Sequence, residues 1–210
     1  MPRGGSRRPI DGKRTNVARE PPRAIVVPPA DFTADLLQLE TRRFVRKRLV
    51  FGRCSIYPND HDYFELTERV AARFDVHPTS VFAVGSAKLG FSIAPAKRYA
   101  AFHDGSDIDV VIVSDRLFDR IWNEFHAAKA ADSDWRRRGD FLKYLFQGWL
   151  RPDYFPDVRG HFADGWWEFF QAISKDQPAK VTGAIYRTWD FFEAYQSRCV
   201  RMCADAESTR

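Results

Sequence analysis

The chain has 210 residues, of which 44% are hydrophobic, with 33 Lys and Arg against 28 Asp and Glu and a net charge of +5. That hydrophobic share excludes a wholly disordered polymer, and no run approaches the roughly 18 apolar residues that a membrane-spanning helix needs. The length suits one domain, or a domain with a tail. Residues 1–30 hold seven basic and two acidic side chains, six of the 12 prolines and no aromatic residue. Such a segment cannot bury enough apolar area to offset the entropy of ordering it, so 1–30 reads as a disordered basic, Pro-rich tail. The remainder, 31–210, reads as a single domain with 26 basic and 26 acidic residues, so the whole positive excess belongs to the tail.

From Asp31 the apolar residues Phe32, Leu36, Leu39, Phe44, Val45 and Leu49 recur near helical spacing, which predicts a helix over about 32–51. The basic residues Arg42, Arg43, Arg46, Lys47 and Arg48 lie among them. They read as a solvated helix face, with contact to a phosphate backbone as the competing reading. Pro58 and Asn59 end that pattern, and a second helix is predicted from about His61 to Phe74, with Phe64, Val70, Ala71 and Phe74 facing inward. Val81-Phe82-Ala83-Val84 reads as a short buried strand ending at Gly85-Ser86, and a second strand is predicted over Asp107 to Val113. Ser114 and Asp115 open a helix with Phe118, Ile121, Trp122 and Phe125 on one face.

A further helix is predicted over about Asp134–Trp149, an ordered aromatic loop over Arg151–Asp164, and a helix around Trp166–Ile173. Strand character over Lys180–Arg187 and a helical pattern over Trp189–Met202 complete the chain. The order of elements predicts a mixed α+β domain, a short mixed sheet flanked by helices. Trp166, Trp167, Phe169 and Phe170 read as core or interface aromatics, with base stacking as the alternative. The three cysteines (Cys54, Cys199 and Cys203) form no even-numbered framework and read as free thiols in a reducing, cytoplasmic setting.

Two pieces carry chemistry. Side chains alternate along a strand, so Asp107 and Asp109 point to one side while Ile108 and Val110 point to the other. Two carboxylates on one side repel unless a cation lies between them, and Mg²⁺ is held by such carboxylates together with the phosphates of a nucleotide. A strand ending in Gly85-Ser86 lets a polyphosphate approach the backbone, with Lys88 expected to add positive charge and Ser106 expected at the same nucleotide site. Gly85 and Gly90 have the spacing of a P-loop, but Phe91 and Ser92 stand where that motif needs Lys and then Ser or Thr.

The sequence Gly85-Ser86-x-x-x-Gly90-x-Ser92, followed by Ser106-Asp107-Ile108-Asp109, resembles the nucleotidyltransferase superfamily of polymerase β-like proteins, and in particular its template-independent and minimal bacterial branch. The resemblance covers about residues 81–113. It implies a small polymerase β-like core, a Gly-Ser turn that holds the triphosphate, and two Mg²⁺ ions on Asp107 and Asp109. It also implies a third carboxylate on a later strand. The implied activity is Mg²⁺-dependent transfer of NMP from an NTP, ATP first among them, to a hydroxyl of an RNA, a protein or another nucleotide. A place in bacterial toxin–antitoxin or antiviral defence is part of the same implication.

Two departures matter. Twenty residues separate Ser86 from Asp107, which predicts an inserted loop whose Lys97 and Arg98 lie beside the phosphates. The strand Val181–Tyr186 carries no acidic residue, so the third carboxylate would have to come from Asp153, Asp157 or Asp164. The alternative function is a catalytically degenerate module of the same fold, which binds a nucleotide or a partner protein without turnover.

Overall fold

A computed structural model describes residues 24–129, 137–151, 154 and 162–209. A four-stranded mixed sheet lies at its centre: β1 (Val81–Val84), β2 (Ile108–Val113), β3 (Trp149–Leu150) and β4 (Val181–Tyr186), in the order β1-β2-β4-β3. β1 and β2 are antiparallel, β2 and β4 parallel with Asp109 opposite Thr182, and β3 and β4 antiparallel with Trp149 opposite Tyr186. The parallel step from β2 to β4 needs a long crossover. It contains α5 (Asp115–Lys129), α6 (Arg138–Phe146), β3 and α7 (Phe162–Ser174).

The period of two along β2 divides the interior. Ile108, Val110 and Ile112 face one core, shared with Leu66, Val70 and Phe74 of α3 (Asp60–Phe74), Ile121 of α5 and Trp166 of α7. Val111 and Val113 face a second core, with Phe32 of α1 (Ala30–Gln38), Phe44 of α2 (Thr41–Phe44), and Phe192 and Val200 of α8 (Trp189–Ser208). Every residue of β2 is buried except Asp109. The mixed α+β architecture with a short sheet flanked by helices is therefore as expected.

Several boundaries differ from the sequence reading. The order begins ahead of residue 31: Val26 N–H donates to Tyr99 O at 2.8 Å, and Ile25 bridges Ala100. The disordered tail expected over 1–30 is thus corrected from Ala24 on, with α1 already opening at Ala30, and residues 1–23 lie outside the described residues. The single helix over 32–51 is two helices and a π-helical turn, Val45–Phe51. The break comes at Leu39, which is extended, and at Glu40, whose carboxylate accepts the Arg42 and Arg43 N–H groups, both at 2.9 Å, and so caps α2.

On α3, Tyr63, Leu66, Thr67, Val70, Ala71 and Phe74 follow helical spacing toward the core. Phe64, one position past Tyr63, is turned about 100° away and is 52% exposed, which corrects its inward assignment. β3 was not expected, since two residues are too few to show a period. The aromatic loop over Arg151–Asp164 falls largely outside the described residues.

The basic cluster is used within the fold. Arg46 forms a bidentate pair with the buried Glu193 (2.5 and 2.8 Å), Lys47 bonds Asp35 (2.8 Å), and Arg48 bonds Asp31 (2.8 Å) and Asp35. The Lys47 and Arg48 bonds hold the Asp35 carboxyl below its ordinary pKa. These pairs tie α1 to the π-helical turn and that turn to α8, so Arg46, Lys47 and Arg48 are committed to carboxylates of this chain.

Candidate functional site

β1 leads into a short helix, α4 (Gly85–Leu89), and the turn between them requires a positive φ, +66°, at Gly85. Only glycine adopts this at little cost. A Cβ built on Gly85 would lie 3.4 Å from Asp109 Oδ2. The Gly-Ser turn and the Asp-x-Asp strand, 24 residues apart in the chain, therefore meet. The cause is the antiparallel β1–β2 register, which places Val84 opposite Asp109.

Asp107 and Asp109 are both exposed and both line a cavity of about 640 Å³, together with Gly85, Lys180 and Thr182. Such a volume is in the range of small-molecule sites, about 300–1,000 Å³. Each carboxylate has a neighbour within the chain. Lys180 Nζ lies 3.9 Å from Asp107 Oδ1, and Thr182 Oγ1 donates to Asp109 Oδ1 at 2.9 Å. The cavity wall also has an aromatic share, with Trp149, Trp167, Phe170 and Tyr195. Burial pushes the Tyr195 phenol up to about 12, and that of Tyr186 well above its ordinary value, so both are neutral donors or acceptors near pH 7.

Ser86 is half-buried on α4 and its carbonyl accepts the Gly90 N–H at 2.8 Å, but it is not part of the cavity wall. Ser106 shapes the turn before β2: its Oγ accepts the His103 N–H at 3.3 Å, while its own N–H donates to His103 O at 2.7 Å. His103 accepts the Gly105 N–H at Nδ1 (3.0 Å), as a loop histidine.

Lys88 does not reach the cavity and is 1% exposed. Its ammonium donates to Val50 O at 3.2 Å and lies 5.4 Å from the centre of the Tyr63 ring. Helical geometry explains the placement, because Ala87 and Lys88 form the inward side of α4. Burial lowers the Lys88 pKa.

The inserted loop also turns elsewhere. Arg98 pairs with Glu207 of α8 at 3.7 Å, Tyr99 OH donates to the same carboxylate at 2.9 Å, and neither Lys97 nor Arg98 lines the cavity. The aromatic cluster divides: Trp166 and Phe170 belong to the first core, whereas Trp167 is 41% exposed on the cavity wall.

Thr182 stands directly across the sheet from Asp109, on the strand where the resemblance implied a third carboxylate. Among the described residues, no group of three Asp, Glu, His or Cys side chains forms. Asp153 and Asp157, and the side chain of Asp164, lie outside those residues. Lys180 and Thr182 were missed as site residues because their relevance comes from the β2–β4 register. Two carboxylates supply enough donors for Mg²⁺ when substrate phosphates and water complete its coordination, so the residues present suit that ion. Among the described residues, no helix is long and apolar enough to cross a membrane. Compared with protein-family models, curated proteins and solved structures, the chain finds no match.

Proposed function

We propose that the chain is a Mg²⁺-dependent nucleotidyltransferase of minimal size, moving NMP from an NTP to an acceptor hydroxyl. The observation that carries this reading is the convergence of Gly85 with Asp107 and Asp109 in the wall of one nucleotide-sized cavity. Asp107 and Asp109 would hold the metal against the phosphates. Bound Mg²⁺ supplies charge neutralisation and a template for in-line displacement. Gly85, without a side chain, lets the phosphates come close to the backbone. Lys180, which is exposed and at 3.9 Å only loosely paired to Asp107, is free to turn its ammonium toward a phosphate oxygen. Charge stabilisation and positioning supply most of the rate in phosphoryl transfer, so two carboxylates suffice for the reading. The acceptor classes are an RNA end, a protein side chain or a second nucleotide.

A second reading is favoured by Thr182. A hydroxyl opposite Asp109, in place of a carboxylate, suits a module that binds a nucleotide and signals through a partner protein without turnover.

The two readings separate by experiment. Asp107→Ala with Asp109→Ala is expected to abolish Mg²⁺-dependent transfer of label from an NTP. Undiminished transfer by the purified double variant would sink the first reading. Calorimetric binding of Mg-NTP without pyrophosphate release, across RNA, protein and nucleotide acceptors, would establish the second.

A further inference from the structure

One face of the sheet runs from the aspartates to a group of aromatic rings. The strand pairs put Asp109 opposite Thr182 and Trp149 opposite Tyr186, and directly opposed side chains share a face. Thr182, Ala184 and Tyr186 alternate onto that same face of β4, and all three line the cavity. At about 3.3 Å per residue, the steps from Thr182 to Tyr186 span about 13 Å. Half-buried Ala184 has only a methyl group to fill the middle of this stripe.

At the aromatic end, two polar groups lack the partners that burial normally demands. Trp149 Nε1–H is buried and has no acceptor. Its ring stacks on Tyr186 (5.7 Å between centres) and tilts against Tyr195 of α8 (4.7 Å). Gln196 lies four residues from both Phe192 and Val200, on the buried side of α8 where apolar residues are the rule, and is only 9% exposed. Its amide has two donors and two acceptor lone pairs, and among the described residues its one hydrogen-bond neighbour is the Tyr186 phenol. Tyr195 and Gln196 both stand in the cavity wall, about 100° apart around the helix axis. The first offers a ring face and the second a donor–acceptor edge. A fatty chain would leave the amide and the indole N–H unpaired, and a phosphate or sugar alone would leave the rings unused. A flat heteroaromatic ring with an adjacent donor and acceptor uses both.

We infer that this end of the cavity seats the nucleobase of the substrate, stacked on Tyr195 with its edge read by the Gln196 amide, and that the base is adenine. The amide matches adenine, which presents an N7 acceptor beside an N6 donor, where guanine presents two acceptors and a pyrimidine a single group. The inference rests on the nucleotide reading above and specifies which base is taken and by which residues. With phosphates held at Asp107 and Asp109 and the base at Tyr195, the ribose lies over Ala184.

The test titrates the full-length protein with adenosine, guanosine, cytidine and uridine, and separately with Mg²⁺-tripolyphosphate, by calorimetry. Adenosine is expected to bind the wild type best. Gln196→Leu, which keeps the size and removes the polar atoms, should weaken adenosine about 5- to 150-fold, the worth of one paired amide, and erase its advantage over the other nucleosides. Gln196→Glu, which offers acceptors only, should lose the same preference. Tyr195→Ala should weaken every nucleoside about 5- to 150-fold, the worth of one stacked ring, and Tyr195→Phe should recover most of it. All four variants should bind Mg²⁺-tripolyphosphate as the wild type does, which also reports that they fold. Adenosine binding unchanged in Gln196→Leu and Gln196→Glu, as expected if water alone serves these groups, would overturn the inference. So would a wild type that prefers another nucleoside or none. Binding of Mg²⁺-tripolyphosphate but of no nucleoside would overturn it and leave the metal–phosphate site standing, whereas failure of both ligands would bring down the nucleotide reading as well.

Discussion

Thr182→Asp would place a third carboxylate where Thr182 Oγ1 now lies 2.9 Å from Asp109 Oδ1. Without a cation this costs stability twice. The hydroxyl–carboxylate bond, worth about 1 kcal/mol at a solvated site, is lost. Two like charges about 4 Å apart then repel by about 1 kcal/mol in water and about 4 at a protein surface of lower effective dielectric, so about 2 is a fair value at this half-exposed position. A total near 3 kcal/mol, at about 2–4 °C per kcal/mol for a domain of this size, lowers the melting temperature by about 6–12 °C in EDTA. Mg²⁺ should reverse part of the loss, because a site with a dissociation constant of about 1 mM returns about 1.4 kcal/mol at about 10 mM ion. Thr182→Asn, which adds no charge, should show no such rescue. Thermal melts of the three proteins in EDTA, Mg²⁺ and NaCl of matched ionic strength provide the comparison. The reasoning is refuted if Thr182→Asp melts with the wild type in EDTA, or if Mg²⁺ rescues Thr182→Asn equally. Increased pyrophosphate release by Thr182→Asp would further support an active fold that lacks only its third carboxylate.

Lys88→Met should keep Mg-NTP affinity within about twofold and leave stability unchanged or higher, as expected when a buried charge gives way to an apolar side chain of similar size. Because burial depresses the Lys88 pKa, the wild type bears the full cost of the buried ammonium below the folded-state pKa. That cost fades as pH rises toward the unfolded value of about 10.4. The stability advantage of Lys88→Met in urea melts should therefore shrink with rising pH; an advantage that grows instead would contradict the assignment. Gly85→Ala has room for its methyl group, 3.4 Å from Asp109 Oδ2, but not the backbone conformation, and should lose about 1–2 kcal/mol together with Mg-NTP binding. Retained binding with unaltered stability would show that the turn is not strained by a side chain. Burial pushes the Cys54 thiol up to about 11, so iodoacetamide at pH 8 should label it only after unfolding, as mass spectrometry of native and denatured samples would report.

Much of the fold was legible because α3, α5 and α8 each bury one side at helical spacing, while β1 and β2 are short, almost wholly apolar runs that end at turn residues. The Asp107–Asp109 pair was legible too, since alternation along a strand depends on the backbone alone. Lys88 was misplaced because its charge suggested phosphate, whereas the five-residue α4 has an inward side that must be buried whatever occupies it. The helix over 32–51 was read as continuous because apolar spacing does not reveal that Glu40 turns its carboxylate back to cap the next helix.

By itself, the sequence determined that β1, β2, β4, α3, α5 and α8 form, the glycine at the β1–α4 turn and the common side to which Asp107 and Asp109 point. These follow from local sterics and the two periods of the polypeptide backbone. Only the tertiary structure decided that Gly85 meets Asp109, that Thr182 faces Asp109, and that Lys180 comes beside Asp107. Those relations depend on strand register and order. Register is set by how both faces of the sheet bury their side chains together, and a single segment carries no record of that packing.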